Sequence, residues 1–274
     1  MKLLAPPWKP ASRMQNIALN GVHVWRAHLE QSASTLQEMF ELLSTGERRR
    51  ARSFYFEEDR ARYVVARGRL RVILSQYLDV EPGCLRFRHT PYGKPKLIQS
   101  GDEERLNFNV SHSGSLALYA ITRLRSVGID VERIRKDPSH EQVAERFFSP
   151  TERAMLQSLP AESRTKAFFG CWTRKEAYAK GRGEGLTLPF DQFSVSIDPT
   201  QPTGLIENRV HPADVSLWSI EEIDLGPGYT AAIAVEGHDW SITRSDVRDS
   251  QECEGGAARP IPHLTSAVAS RSSR

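Results

Sequence analysis

The stretch Ser126 to Arg135, SVGIDVERIR, constrains the fold more than any other part of the 274-residue chain. Val127, Ile129 and Val131 alternate with Gly128, Asp130 and Glu132 at the period of a β-strand, so one face is apolar and the other carries two carboxylates. Acids at i and i+2 repel each other. A solvated strand face would tolerate them. So would a hard cation, because magnesium accepts a few carboxylate oxygens together with waters and phosphate oxygens. These residues alone leave both readings open.

A second stretch, CWTRKEAYAKGRGEGL from Cys171 to Leu186, reads as a helix that stops on glycines. Trp172, Glu176 and Lys180 follow one another at i, i+4 and i+8 along one drifting stripe. A surface ion pair would be worth roughly 0.3–0.5 kcal/mol and would explain neither the tryptophan nor the glycines. The alternative gives each part a role. Trp172 fixes the helix in the core, Glu176 adds a third carboxylate to Asp130 and Glu132, and Lys180 offers a charge to a phosphate. Gly181, Gly183 and Gly185 would let the backbone turn sharply and a ligand come close.

In LNFNVSHSGS, Leu106, Phe108 and Val110 point inward and the chain is expected to turn through Ser111, His112, Ser113 and Gly114. Hydroxyl, imidazole and free amides there could hold a phosphate, although Ser and Gly also favour turns for conformational reasons alone. PYGKP, Pro91 to Pro95, reads first as a turn and second as a place where Lys94 meets an anion. The sequence contains no GxSxG, no GxxxxGK[ST], no HExxH and no GxGxxG after a strand.

Around these stretches the periodicities predict a strand at Val22–Ala27, then helices at Ser34–Leu43 and Asp59–Leu78. The second helix carries Tyr63, Ala66, Leu70, Ile73, Leu74 and Tyr77 on one face. Strands follow at Cys84–Arg88, Leu106–Val110 and Leu116–Thr122. From Ser126 the order begins again: a strand, helices at Pro150–Leu159 and Arg164–Lys180, and strands at Phe193–Ile197, Val215–Ile220 and Tyr229–Val235. The expectation is an α+β protein with two similar halves, 1–124 and 125–242. From about Thr243 the chain is rich in Ser, Arg, Gly and Pro, so 243–274 is expected to be a disordered tail.

A hydrophobic fraction of 39% suffices for a sizeable core. The net charge is only +3, yet nine arginines and four acids fall between Glu47 and Arg71, which suggests an anionic partner or a solvated helix face. Three widely spaced cysteines form no CxxC pair and suit a reducing compartment. The apolar start MKLLAPPWKP is too short for a signal-peptide core, and no run of apolar residues is of membrane-spanning length. The expected location is the cytoplasm, with no membrane partner.

Taken in order, YGKP (Tyr92–Pro95), NVSHSG (Asn109–Gly114), VGIDVE (Val127–Glu132) and WTRKEAYAKGRGEGL (Trp172–Leu186) resemble the 4′-phosphopantetheinyl transferases of the monomeric, two-subdomain Sfp kind. The resemblance implies two α/β subdomains in a pseudo-twofold arrangement with the active site at their interface. It implies transfer of the phosphopantetheine arm of coenzyme A to a serine of an apo acyl or peptidyl carrier protein of fatty-acid, polyketide or nonribosomal peptide synthesis. Asp130, Glu132 and Glu176 match the acids that bind Mg2+, with Mn2+ an alternative. Asp130, Glu176 and Lys180 match the catalytic set, Lys180 touching the transferred phosphate. Ser111, His112 and Arg62 match groups near the 3′-phosphate, Tyr92, Lys94 and Pro95 match the loop beside the adenine, and Arg50 matches a basic position upstream. Glu47 stands where relatives can carry a lysine. Rival readings are a nucleic-acid binder using Arg48–Arg71, a metal-dependent phosphodiesterase and a non-catalytic coenzyme A binder. The first leaves the three acids unexplained and the second lacks a further cluster of metal ligands.

Overall fold

The computed structural model describes residues 8–10, 16–99, 105–137, 139–198 and 201–247. After a short strand β1 (Lys9–Pro10), the first half runs β2 (Gly21–His28), α1 (Ala33–Glu41), α2 (Thr45–Arg52), α3 (Glu57–Leu78), β3 (Phe87–His89), β4 (Pro95–Leu97), β5 (Leu106–Ser113) and β6 (Leu116–Arg123). The second runs β7 (Val127–Arg133), α4 (His140–Phe147), α5 (Pro150–Ser158), α6 (Ala161–Arg182), β8 (Phe193–Val195), β9 (Leu205–Asn208), α7 (Asp214–Leu217), β10 (Trp218–Glu222) and β11 (Tyr229–Glu236). The last strand is β12 (Ser241–Asp246).

The two halves repeat a pattern. Each has a strand, three helices ending in one of 22 residues, a short hairpin and a final antiparallel pair. The sheet orders correspond as well: β2-β6-β5 in the first half and β7-β11-β10 in the second. α3 buries Val65, Ala66, Leu70, Ile73, Leu74 and Tyr77 against Trp25, Phe108, Tyr119 and Ile121 of the first sheet. α6 buries Ala177, Tyr178 and Ala179 with Trp218 and Ala232 of the second and with Phe190 and Phe193, which lie outside it. A third apolar layer joins the sheets, with Val22, Val24, Leu118 and Ala120 facing Val127, Ile129, Val131, Ile233 and Val235. The core is therefore continuous from one half to the other.

Several expectations shift. The turn expected at Ser111–Gly114 is narrower: β5 continues through Ser113, and Gly114, at φ 57°, and Ser115 alone make the corner to β6. Pro82–Cys84 is a single helical turn, so the strand expected at Cys84–Arg88 begins only at Phe87. Val215–Ile220 divides into the end of α7 and the start of β10. The tail expected from Thr243 does not begin there, because Thr243–Asp246 completes β12, which pairs parallel to β2 in the first half's sheet. Residues 248–274 lie outside the described residues. Helix α2, TGERRRAR, has no apolar stripe to betray it; the Ser44–Glu47 capping box starts it.

The arginine run is not one basic face. Arg71 is buried and donates to Glu47 and to the Pro82 and Leu85 carbonyls, and Arg67 also pairs with Glu47. Glu47 is thus the internal acceptor that locks α2 to α3, which accounts for an acid in a basic neighbourhood.

On α6 the ammonium of Lys175 is fully buried, donating to Glu152 Oε2 and to the Phe193 carbonyl, both at 2.6 Å. Glu152 also accepts the Ser149 and Val195 amides, so every lone charge in this knot has a partner. Removing one member strands the other in an apolar core. Glu152→Ala is expected to lower stability by about 3–5 kcal/mol, read as a shift in the urea midpoint; a shift below about 1 kcal/mol would show that the pair is dispensable.

Candidate active site

β7 and α6 approach so closely that neither can carry side chains at their crossing. A Cβ on Gly128 would lie 2.0 Å from the Ala177 carbonyl and 2.2 Å from the Gly181 amide, and one on Gly181 would strike the Trp218 ring at 2.5 Å. This crossing corrects the solvated-face reading of SVGIDVERIR: the face bearing Gly128 and Asp130 is covered by α6, and Asp130 is buried. Gly181 serves helix–strand packing. Gly183, at φ 82°, is the left-handed cap that ends α6.

The crossing places the four charged side chains of interest together at the seam. Lys180 Nζ donates to Asp130 Oδ1 at 2.5 Å and to Ser111 Oγ at 3.1 Å. Ser111 donates to the same Asp130 oxygen at 2.8 Å, and Ser113 donates to Glu132 Oε2 at 2.7 Å. Burial pushes the Glu176 carboxyl up to about 7; the Lys180 charge opposes this, and the Asp130 and Glu132 charges reinforce it. Glu132 is raised by burial first and then by Asp130, against the bond from Ser113. Burial works against the Lys180 ammonium, but Asp130, Glu176 and Glu132 outweigh it and hold its pKa above the ordinary value.

Asp130 Oδ2 is buried with no hydrogen-bond partner. A buried carboxylate oxygen left without a partner offers a place for a ligand or a cation. Among the described residues no three acids, histidines or cysteines are already gathered as a metal cluster; Lys180 occupies Asp130, and Ser113 holds one oxygen of Glu132. The donor set itself, three carboxylates with one orphaned oxygen, fits a hard divalent ion such as Mg2+.

His112 lies exposed on β5 beside Ser111, its imidazole held below the usual range by partial desolvation and then by Lys180. Arg62 reaches the same neighbourhood from α3, paired with Glu58 at 3.2 Å and Asp59 at 3.7 Å. Arg50 is exposed on α2 and stacks over Phe54. The PYGKP segment is a turn, closed by the Gly93 amide on the Thr90 carbonyl, with Tyr92 exposed. Lys94 is committed: its ammonium donates to the carbonyls of Val127 (3.1 Å), Lys180 (2.6 Å) and Gly181 (3.2 Å), using all three hydrogens to tie the turn to the end of α6. Burial and then Lys96 pull it down to about 8.

Beside this clamp a cavity of about 270 Å3 is lined by Tyr92, Lys94, Pro95, Lys96, Arg105 and Arg182 among others. Arg105 and Arg182 were not singled out in the sequence. Arg182 has Asp214 and Glu184 as counter-ions.

Because the folded protein holds Glu176 in its protonated form up to about 7, it binds that proton more tightly than the unfolded chain does. Stability should therefore fall as pH rises from the ordinary glutamate range through about 7. Thermal melts of metal-free protein at about pH 5 and about pH 7.5 should show a larger loss for the wild type than for Glu176→Gln; equal losses would contradict the buried, proton-holding carboxyl.

Two family models cover almost all of this architecture. The 4′-phosphopantetheinyl transferase superfamily model matches residues 126–234, and the 4′-phosphopantetheinyl transferase N-terminal model matches residues 25–123. The chain is 40% identical to 4′-phosphopantetheinyl transferase HetI of Nostoc sp. over 238 residues, covering 87% of this chain and 97% of that protein. It is 30% identical to 4′-phosphopantetheinyl transferase Sfp of Bacillus subtilis over 204 residues, covering 74% of this chain and 87% of that one. A solved holo-(acyl-carrier-protein) synthase from Bacillus anthracis, in complex with CoA (3′,5′-ADP), superposes with a TM-score of 0.35 at 23% identity, over 41% of this chain and 96% of that one. With both halves matched in order and the full-length likeness to HetI, the chain belongs to the 4′-phosphopantetheinyl transferase superfamily.

Proposed function

We propose that the protein transfers the 4′-phosphopantetheine group of coenzyme A to a serine hydroxyl of an apo acyl or peptidyl carrier protein, releasing adenosine 3′,5′-bisphosphate. The observation that carries this reading is the seam of Asp130, Glu132, Glu176 and Lys180, with its orphaned Asp130 oxygen, in a chain of this superfamily. The serine oxygen forms a bond to the phosphorus that bears the pantetheine arm. The bond from that phosphorus to the bridging oxygen breaks, and its electron pair leaves with the bisphosphate.

Asp130, Glu132 and Glu176 would hold Mg2+, or Mn2+ in its place, which when bound neutralises the pyrophosphate and stabilises charge on the leaving group. Lys180, already aimed into the seam, contributes a fixed positive charge to the transferred phosphate. Glu176 takes the serine proton, directly or through a water. Its pKa of about 7 suits a base that works near neutrality. His112 and Arg62 form the side toward the 3′-phosphate, with Arg50 further out; the Ser111 hydroxyl borders that side but is committed to Asp130 and Lys180. Tyr92 and Pro95 border the adenine, for which the adjoining cavity has room. Lys94 holds that border against α6.

The physiological partners in this reading are carrier domains of fatty-acid, polyketide or nonribosomal peptide synthases, met in the cytoplasm. The protein works as a monomer, since the two similar halves that frame the site already share an apolar layer within one chain. Neither nucleic acid nor membrane is a partner in this reading. Of the basic run, Arg67 and Arg71 pair with Glu47, and Arg60 and Arg62 pair with acids of α3; no described helix is long and apolar enough to cross a membrane.

Incubation of the enzyme with an apo carrier protein, coenzyme A and Mg2+ should add the mass of one phosphopantetheine, and both Asp130→Ala and a chelator should abolish the gain. No gain on several unrelated carriers, together with no binding of coenzyme A, would overturn the reading. Glu176→Gln should lower kcat by about 10²–10⁴ while Mg2+ still binds; near-normal turnover would remove Glu176 as the base.

A further inference from the structure

β7 is an edge strand, hydrogen-bonded to β11 on one side only, and β5 is the edge strand of the other sheet. The two edges lie against each other in different sheets, with no backbone ladder between them. Outward-facing amides on a buried edge cannot be left unpaired. Here side chains answer them. The Ile129 amide donates to Asn109 Oδ1 at 2.8 Å, the Val131 amide to Ser111 Oγ at 3.4 Å, and the Arg133 amide to Ser113 Oγ at 3.1 Å. The separation is 20 residues each time, so the strands run side by side in one fixed parallel register.

The same hydroxyls also hold the carboxylates. Ser111 donates to Asp130 and Ser113 to Glu132, each 19 residues on. One unit therefore occurs twice: a serine accepts a β7 amide and donates to the carboxylate one residue before it. Ser111 also accepts from Lys180, which leaves its hydroxyl fully used. Lys94 continues the pattern at the other end of the edge by capping the Val127 carbonyl.

We infer that Asn109, Ser111 and Ser113 form a side-chain ladder that joins the two halves of the protein, sets the register of β7 against β5, and aims the Asp130 and Glu132 carboxylates into the seam. Ser113 is then a positioning residue for Glu132, a role not assigned to it by the sequence reading. Holding Oε2 leaves the remaining oxygen of Glu132 as the one free to turn toward a cation. A slip of one residue would turn the two serines away from the carboxylates and deprive the edge amides of their acceptors. The cation-directed part rests on the proposed metal site; the ladder does not.

The test uses full-length protein without coenzyme A. Ser113→Ala is compared with wild type and with Ser113→Thr, which keeps the hydroxyl. Amide exchange followed by NMR reads the ladder directly, and Mn2+ titration followed by electron paramagnetic resonance reads its consequence. In Ser113→Ala the Arg133 amide should exchange about tenfold faster while the Ile129 amide keeps its wild-type rate. Mn2+ affinity should fall by about tenfold, and threonine should restore both. Wild-type exchange at Arg133 in the alanine variant would overturn the ladder. Wild-type Mn2+ affinity there would overturn the positioning of Glu132. If wild-type protein binds no Mn2+ while Arg133 exchange still accelerates, the ladder stands and the metal reading falls.

Discussion

The backbone contact between Gly128 of β7 and Gly181 of α6 is the constraint on which the site depends. It lets a strand and a helix from the same half touch without side chains between them, and so buries Asp130 and draws Lys180 partly out of water beside it. Larger residues at either glycine would part the elements and hydrate the charges. Hydrated, those charges would attract each other by only about 1 kcal/mol, against several times that in a partly dry seam. The site's electrostatics are in this sense a product of packing.

The repeated element order explains why the candidate site lies where it does. Each half on its own ends in an edge strand, β5 in one sheet and β7 in the other, and each edge exposes backbone groups that must be satisfied. Bringing the edges together buries them, but the halves meet as packed layers rather than as one sheet, so polar side chains supply the missing partners. Those polar side chains, placed in an otherwise apolar interface, are available to position charge. The buried Glu152–Lys175 knot fixes the rotation of α6 one residue before Glu176, so that Glu176 and Lys180 turn toward β7 while Lys175 turns toward α5.

Much of this was legible in the sequence because the signals were periodic. The alternation in SVGIDVERIR gave β7 and the shared face of Asp130 and Glu132, and the stripe of α3 from Ala66 to Tyr77 predicted the packed face of that helix almost residue for residue. Elements without a period were missed. α2 is held by a capping box and by internal arginine pairs, and β12 is a strand only because β2 offers it an edge. The site shows the same division. Residue types announced three carboxylates and a lysine, whereas the commitment of Lys94 to three carbonyls and the internal use of Glu47 depend on contacts across 86 and 24 residues that no local pattern encodes. Ser113 reads as turn chemistry because Ser-Gly favours turns, yet the strand extends through it, paired with Leu116 of β6, while its hydroxyl is taken by β7.

Charge arithmetic then limits what the seam can be without a ligand. Three ionised carboxylates against one ammonium would leave a net charge of about −2 in a partly desolvated space, a state of high energy. The protein relieves part of it internally: Lys180 sits on Asp130, and Glu176 keeps a proton up to about 7. What remains is an Asp130 oxygen without a hydrogen-bond partner and a Glu132 raised by burial and by the Asp130 charge, which Ser113, Lys180 and Arg135 offset only in part. A cation entering the seam would meet that charge and would also lower the cost of ionising Glu176. Loss of the Glu176 proton and arrival of the cation are thus thermodynamically linked, and each must favour the other.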